Sequence, residues 1–259
     1  MKDKFEKLIK FNRNMGILHL VQAIIMLFLA TSVISKIAEF SPTITKLFIQ
    51  FNPATQSLEQ ASKPLFNLPF GILASLFLFI SAFAHFFIVM KKKKYVDDLK
   101  NGINKFRWIE YSLSSSIMIV LIATLFGVYD IGSLLLIFVV NALMNLFGLV
   151  MEQLNVGVDK KKLNWEPFIW GSIAGITPWV VILIYMFGNG NLDMVPWFVW
   201  AIVATYFVTF NTFPINMVLQ YKKIGKWKDY LYGERVYIIL SLVAKTALAW
   251  LVLFGAMQP

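Results

Sequence analysis

Residues 233–250 read GERVYIILSLVAKTALAW, and the lysine at position 245 decides how the whole chain is to be understood. From Val236 to Trp250 this stretch carries no other charged side chain, and its length and composition are those of a helix that crosses a bilayer. Lys245 lies ten residues beyond Arg235, about 15 Å along a helix at 1.5 Å per residue, which puts an amine close to the membrane midplane. An ionisable group there costs several kcal/mol unless it is paired or wet, and from such depth a lysine does not easily snorkel to either surface. It must be neutral, paired or covalently used. Ser241, one turn earlier, shares its helix face.

The rest of the chain supports a membrane setting. Its 259 residues are 58% hydrophobic, 16% aromatic and only 15% charged, with a mean hydropathy of +0.68. Soluble domains carry about a quarter charged residues, so this chain could not cover its own surface. The same apolar content excludes disorder, and the absence of cysteine excludes a disulfide-stapled secreted fold. Apolar stretches of roughly 20 residues, the length that crosses about 30 Å of hydrocarbon, occur at 16–34, 68–90, 108–128, 131–151, 168–187, 197–219 and 236–255. A β-barrel would show short alternating segments instead. The fold class expected is an all-α membrane protein, a seven-transmembrane-helix bundle forming one domain over 1–259, with too little chain left for a soluble domain.

Charge sets the expected orientation. Of the 24 lysines and arginines, all but four flank the spans on one side. They are Lys2 to Arg13 at the N-terminus, Lys91 to Arg107 in the second loop, Lys160 to Lys162 in the fourth, and Lys222 to Arg235 in the sixth. The other side has Lys36, Lys46 and Lys63, and Lys245 lies within a span. The positive-inside rule then makes the N-terminus cytoplasmic and the C-terminal residues 255–259 extracellular in a multi-pass protein of the cell membrane. The basic belt faces anionic lipid, or serves in addition as a docking face for a soluble partner. A secretory signal peptide over residues 1–34 is the alternative for the first span, although its apolar run is long for one. The one long loop, residues 35–67, contains a β-favouring alternation from Thr43 to Phe51 with the turn signal Asn52-Pro53 directly after it. It predicts a short extracellular β-hairpin between helices 1 and 2, which could act as a lid or touch a second protomer. Fixed-period repeats and paired Gly/Pro-broken spans, the mark of inverted-repeat transporters, are not visible.

Few groups can balance Lys245. Glu110, in FRWIEYSLSSS of the third span, is the best partner. By hydropathy it lies barely one turn beyond Arg107, nearer the headgroups than Lys245, a mismatch eased if the third helix starts earlier within 95–106 and tilts. The serines next along the span imply a wet interior at this end. His19 in the first span and His85 in the second are the other ionisable groups, equally readable as hydrogen-bonded core residues or as members of a polar cavity. Metal ligation is not expected, because the histidines are unlinked and carboxylates lack ligand spacing. Walker, dinucleotide and nucleophile-elbow motifs are absent from the sequence, so no enzyme is expected, and the basic loops lack the aromatic interleaving of a nucleic-acid binder. A desolvated amine can form a Schiff base with an aldehyde, creating a cation that needs a fixed counter-ion, and retinal is an aldehyde that fits such a slot. On these two residues alone, an ion pair that fixes helix register remains open.

The segments FRWIEYSLSSSIMIVLIA (106–123), GERVYIILSLVAKTALAW (233–250), IAGITPW (173–179) and GKWKDYL (225–231), with the contexts LHLVQ and AFAHFF around the two histidines, resemble a heliorhodopsin. The resemblance runs along nearly the whole chain, is weakest over 35–67, and is most specific in the third and seventh spans. Heliorhodopsins are microbial-type rhodopsins with an inverted orientation, the N-terminus cytoplasmic. The resemblance implies all-trans retinal on Lys245 with Glu110 as counter-ion, and Ser241, Ser115 and Ser81 around the Schiff base. It further implies a hydrated cytoplasmic-side cavity holding His19 and His85, and a polyene slot walled by Trp179, Phe207, Phe210, Met144 and Gly148. Family members are similar in being homodimers, which points to Asp130, Tyr185 and the outer hairpin as interface. Pro214, Asn216 and Met217 on the sixth span depart from the family's expected pattern.

A pump needs proton-passing groups on both sides of the imine. After Glu110 the third span continues through Ile117 to Phe126 with no ionisable side chain, so a second relay carboxylate is missing, and Glu110 itself argues against a chloride pump. A light-sensing photoreceptor that signals slowly through its cytoplasmic loops, without ion pumping, is the expected function. A light-gated proton or ion conductor is the alternative, and a non-photochemical membrane transporter a more distant one.

Overall fold

The computed structural model describes residues 2–34, 41–159, 161–188, 190 and 195–255. Helix α1 (Lys2–Phe28) ends in a π-turn (Leu29–Val33) and leads to an antiparallel pair, β1 (Thr43–Asn52) and β2 (Ser57–Asn67). Next along the chain come α2 (Phe70–Met90), a short α3 (Lys92–Lys100), α4 (Lys105–Leu125), α5 (Ile131–Leu154), α6 (Glu166–Phe187), α7 (Trp197–Tyr221) and α8 (Tyr230–Gly255). Seven of the described helices, all but α3, are long and apolar enough to cross a membrane. The sequence expectation of a seven-helix bundle with one hairpin between its first two spans is met. We call the side holding the start of α1 the N-terminal face and the opposite one the hairpin face.

Several helix starts differ from the sequence reading, the last helix beginning at Tyr230 and not at 236. The first helix begins at Lys2 and not near residue 16, because the preceding residues are amphipathic: Phe5, Leu8, Asn12 and Met15 are buried while Lys4, Lys7, Lys10 and Arg13 face outward. The third span starts at Lys105, inside the polar stretch 95–106 and three residues before the expected 108. Residues 95–100 belong instead to α3, whose buried Tyr95 and Leu99 pack with Phe5, Leu8, Ile88 and Ile238 as a cap on the N-terminal face. Asn104 then starts α4 by accepting a hydrogen bond from Arg107 N at 3.1 Å.

At the hairpin face, Asp130 caps α5 by accepting from Ser133 N at 2.8 Å and also accepts from Leu47 N at 3.3 Å. With the bond from Thr45 N to Tyr129 O at 2.9 Å, it ties β1 to the start of α5. The strand register runs from Thr43↔Asn67 to Asn52↔Ser57, with an irregularity between Ile44 and Thr45 where Pro64, which has no amide hydrogen, lies opposite. Ile44 plugs into the bundle core, whereas Ile49 and Leu58 stand 64% and 71% exposed. Lys46 and Lys63 sit on this hairpin; Lys36, Lys160 and residues 256–259 lie outside the described residues.

The main core joins α1, α2, α4, α5, α6, α7 and α8 through side chains such as Met26, Phe77, Ile119, Leu134, Ile182, Ile202 and Leu248. Two helices carry internal prolines, Pro178 in α6 and Pro214 in α7. Each removes an amide donor and leaves a carbonyl four residues earlier, at Ala174 and Phe210, without its helical partner.

Candidate functional site

Lys245 projects from the middle of α8 and is 3% exposed. Its Nζ donates to Glu110 Oε1 and to Ser81 Oγ at 2.6 Å; Ser81 in turn donates to Glu110 Oε1 at 2.7 Å. Three helices thus meet on one buried ion pair. The depth mismatch between Lys245 and Glu110 is bridged by side-chain direction: helical Cα–Cβ bonds tilt toward the N-terminus, and α8 starts on the same face as α4. Tyr111 supplies a ring 5.2 Å from Nζ and is held by a bond from its hydroxyl to Tyr237 O at 3.0 Å.

Beside the amine lies a cavity of about 330 Å³ lined mostly by apolar side chains. Lys245 forms part of its wall together with Trp179, Phe207, Phe210, Met144 and Gly148, so the structure brings all five expected slot residues to one space. Two glycines keep space in its wall: a Cβ on Gly148 would collide with the Trp108 indole, and one on Gly175 would come within 2.6 Å of Met144 Sδ. The cavity runs between α6 and α7, whose side chains Trp179, Tyr206, Phe207 and Phe210 meet with ring centroids 5.0–6.0 Å apart. Phe207 also reaches the outer surface, 53% exposed. A narrow apolar slot with a primary amine at its wall and a carboxylate on that amine has the donor set needed for a long hydrophobic aldehyde.

The serines divide. Ser81 touches the ion pair, while Ser115 lines the large cavity and accepts from Asn141 Nδ2 at 2.8 Å and Asn145 Nδ2 at 3.0 Å. Ser241 lines a second, smaller cavity of about 30 Å³ on the N-terminal side of the pair, with Glu110, His85, Arg107 and Glu234. His85 donates from Nδ1 to Asn12 Oδ1 at 2.8 Å, and Asn12 bonds Tyr95 OH at 3.4 Å. His19 stacks on His85 with centroids 5.5 Å apart and planes 14° from parallel, its two nitrogens without a hydrogen-bond partner among the described residues. Asp130 and Tyr185 are remote from this site, Asp130 at the hairpin anchor and Tyr185 41% exposed on α6. Among the described residues no metal-binding group of His, Cys, Asp or Glu occurs.

A second buried charge cluster escaped the sequence reading. Arg107 donates to Glu152 and, at 2.5 Å, to Glu234. The backbone N–H of Asn104 donates to Glu152 Oε2 and its Nδ2 to Glu234 Oε2, both at 2.7 Å. The guanidinium stacks over Tyr237 at 3.8 Å and Trp108 at 4.7 Å. These charges sit at span ends, where hydropathy assigns them to headgroups. A signal was present nonetheless: Glu234, Ile238, Ser241 and Lys245 recur at four- and three-residue spacing on one face of α8.

A family model for heliorhodopsins matches residues 8–257, and a search of curated proteins finds no match. The chain belongs to the heliorhodopsin family, and is accordingly a multi-pass, retinal-binding photoreceptor of the lipid bilayer.

Proposed function

We propose that Lys245 Nζ carries all-trans retinal as a protonated Schiff base, that Glu110 is its counter-ion, and that light drives a slow conformational signal without ion pumping. The observation that carries this reading is the buried Lys245–Glu110–Ser81 contact at the wall of an apolar cavity. Retinal, when bound, supplies isomerisation of a polyene double bond on absorbing a photon. The chain's part is to hold the nitrogen's positive charge beside a carboxylate at rest, keep bulk water from the slot, and yield when the nitrogen is displaced. Ser81 fixes the carboxylate rotamer, and Tyr111 offers its ring face to the cation. Trp179, Phe207, Phe210, Met144 and Gly148 wall the polyene, and Ser115, Ser241, His19 and His85 line the polar surroundings.

Directional transport is disfavoured by the part of α4 beyond Glu110. The buried side chains there are apolar, as Met118, Ile119, Leu121, Ile122 and Ala123, or neutral hydroxyls, as Ser114, Ser116 and Thr124, so that helix offers no carboxylate to relay a proton toward the hairpin face. The small cavity on the other side keeps a light-gated conductor as the second reading. In our reading the basic N-terminal face is cytoplasmic in the cell membrane, two copies associate through the hairpin, Asp130 and Tyr185, the whole chain acts as one domain without enzymatic activity, and a cytoplasmic partner receives the signal. The test is expression with all-trans retinal and one absorption spectrum. A visible pigment bleached by hydroxylamine is expected; colourless protein would overturn the proposal.

A further inference from the structure

The Arg107 cluster holds two carboxylates on one guanidinium, an excess of one negative charge in a site where Glu152 and Glu234 are only 2% and 1% exposed. All four carboxylate oxygens already accept. Glu152 takes bonds from Arg107 and from Asn104 N; Glu234 takes them from Arg107 and Gln220 on one oxygen and from Asn104 Nδ2 on the other. Every oxygen is engaged by a donor, the pattern that suits carboxylates, and an added O–H must displace one of these donors. One added proton leaves a single carboxylate against Arg107, so the cluster becomes neutral and the repulsion of two like charges held close in low dielectric is relieved.

The path to it is short. The small cavity is bordered at one end by Glu110, the carboxylate on Lys245, and at the other by Glu234 and Arg107. At about 30 Å³ it is roomy enough for a water, and it is lined by the Ser241 hydroxyl, which has no hydrogen-bond partner among the described residues. His19 is a poorer destination. It has no acceptor among the described residues to bond an imidazolium and is fully buried, and an unpaired charge there is costly.

We propose that the Glu152–Glu234 pair is the resting place of the proton that leaves Lys245 Nζ in the light. The inference rests on the Lys245–Glu110 reading above. The N–H bond breaks with its electron pair left on nitrogen, Glu110 and the cavity pass the proton on, and an O–H bond forms on Glu152 or Glu234, taking the cluster from one excess negative charge to none. Uptake costs that carboxylate one of its bonds to Arg107, Asn104 or Gln220, so the proton's arrival is felt where α4, α5 and α8 meet on the N-terminal face.

Light-minus-dark infrared spectroscopy of the full chain, loaded with all-trans retinal in lipid, tests this. A carboxylic-acid C=O band should rise as the nitrogen loses its proton and fall as the proton returns. Glu152→Gln and Glu234→Gln should abolish or displace that band and slow the deprotonation roughly 10-fold or more. Glu152→Asp and Glu234→Asp keep the charge and the fold, and should shift its frequency. A pigment that deprotonates with no such band, or with a band unmoved in both aspartate variants, overturns the proposal and leaves the Lys245 reading standing. Colourless wild-type protein overturns both.

Discussion

A lysine 3% exposed keeps its charge only beside an anion, and Glu110 is that anion. Removing either partner strands the other, at about 3–5 kcal/mol. Lys245→Ala should therefore abolish pigment formation and also lower the thermal midpoint of the retinal-free protein; adding Glu110→Gln to it should recover much of that midpoint, because no charge is left unpaired. In the loaded protein Glu110→Gln alone should move the absorption maximum to the red, and an unchanged spectrum would contradict the counter-ion assignment. Gly148→Ala brings a methyl against the Trp108 indole; overpacking of this kind costs about 1–3 kcal/mol, and we expect weaker retinal uptake, measured by titrating the chain with the aldehyde. Lys245 and Glu110 were legible in the sequence because charges are rare in apolar runs. Asn141 and Asn145, which hold Ser115, were not, since a neutral amide inside a span stands out in neither charge nor hydropathy.

Elements depend on a few anchoring residues, and Asp130 anchors two. It caps α5 and holds β1 at Leu47. Its carboxyl is held below the ordinary aspartate range, chiefly by the backbone N–H of Ser133, with that of Leu47 contributing. A depressed folded pKa means that this anchoring is fully present above the unfolded value of about 3.9 and fades as pH falls below it toward the folded one. Asp130→Ala should cost about 1 kcal/mol, as loss of a helix cap does, and loosen the hairpin so that protease cleaves at its tip, residues 53–56, sooner than in the parent chain. Equal cleavage rates would argue against the anchor. The spans and the hairpin were readable from hydropathy and from alternation. The first turns of α1 and the separate α3 were not, because a window tuned to 20 apolar residues ignores an amphipathic helix that packs outside the hydrocarbon.

For the whole molecule, the asymmetry of buried charge predicts the transport result. Arg107, Glu152 and Glu234 lie between the Lys245 pair and the N-terminal face, while the buried polar side chains of α4 beyond Glu110, such as Ser114, Ser116 and Thr124, are uncharged. Liposomes containing the pigment should show no sustained light-driven pH change, and a steady current under illumination would favour the conductor. The family was legible from the third and seventh spans. The Arg107 cluster was not, for it exists only once three span ends from distant parts of the chain converge, and no single stretch displays it.

Pro178 and Pro214 give this arrangement a mechanical polarity. One flank of the slot is clamped by charge, with α2, α4 and α8 sharing Lys245, Glu110 and Ser81. The other is formed by two helices whose backbone ladders are each interrupted beside the slot. A push from inside therefore meets a stiff half and a compliant half, and displacement is channelled into the compliant one whatever the direction of the initial kick.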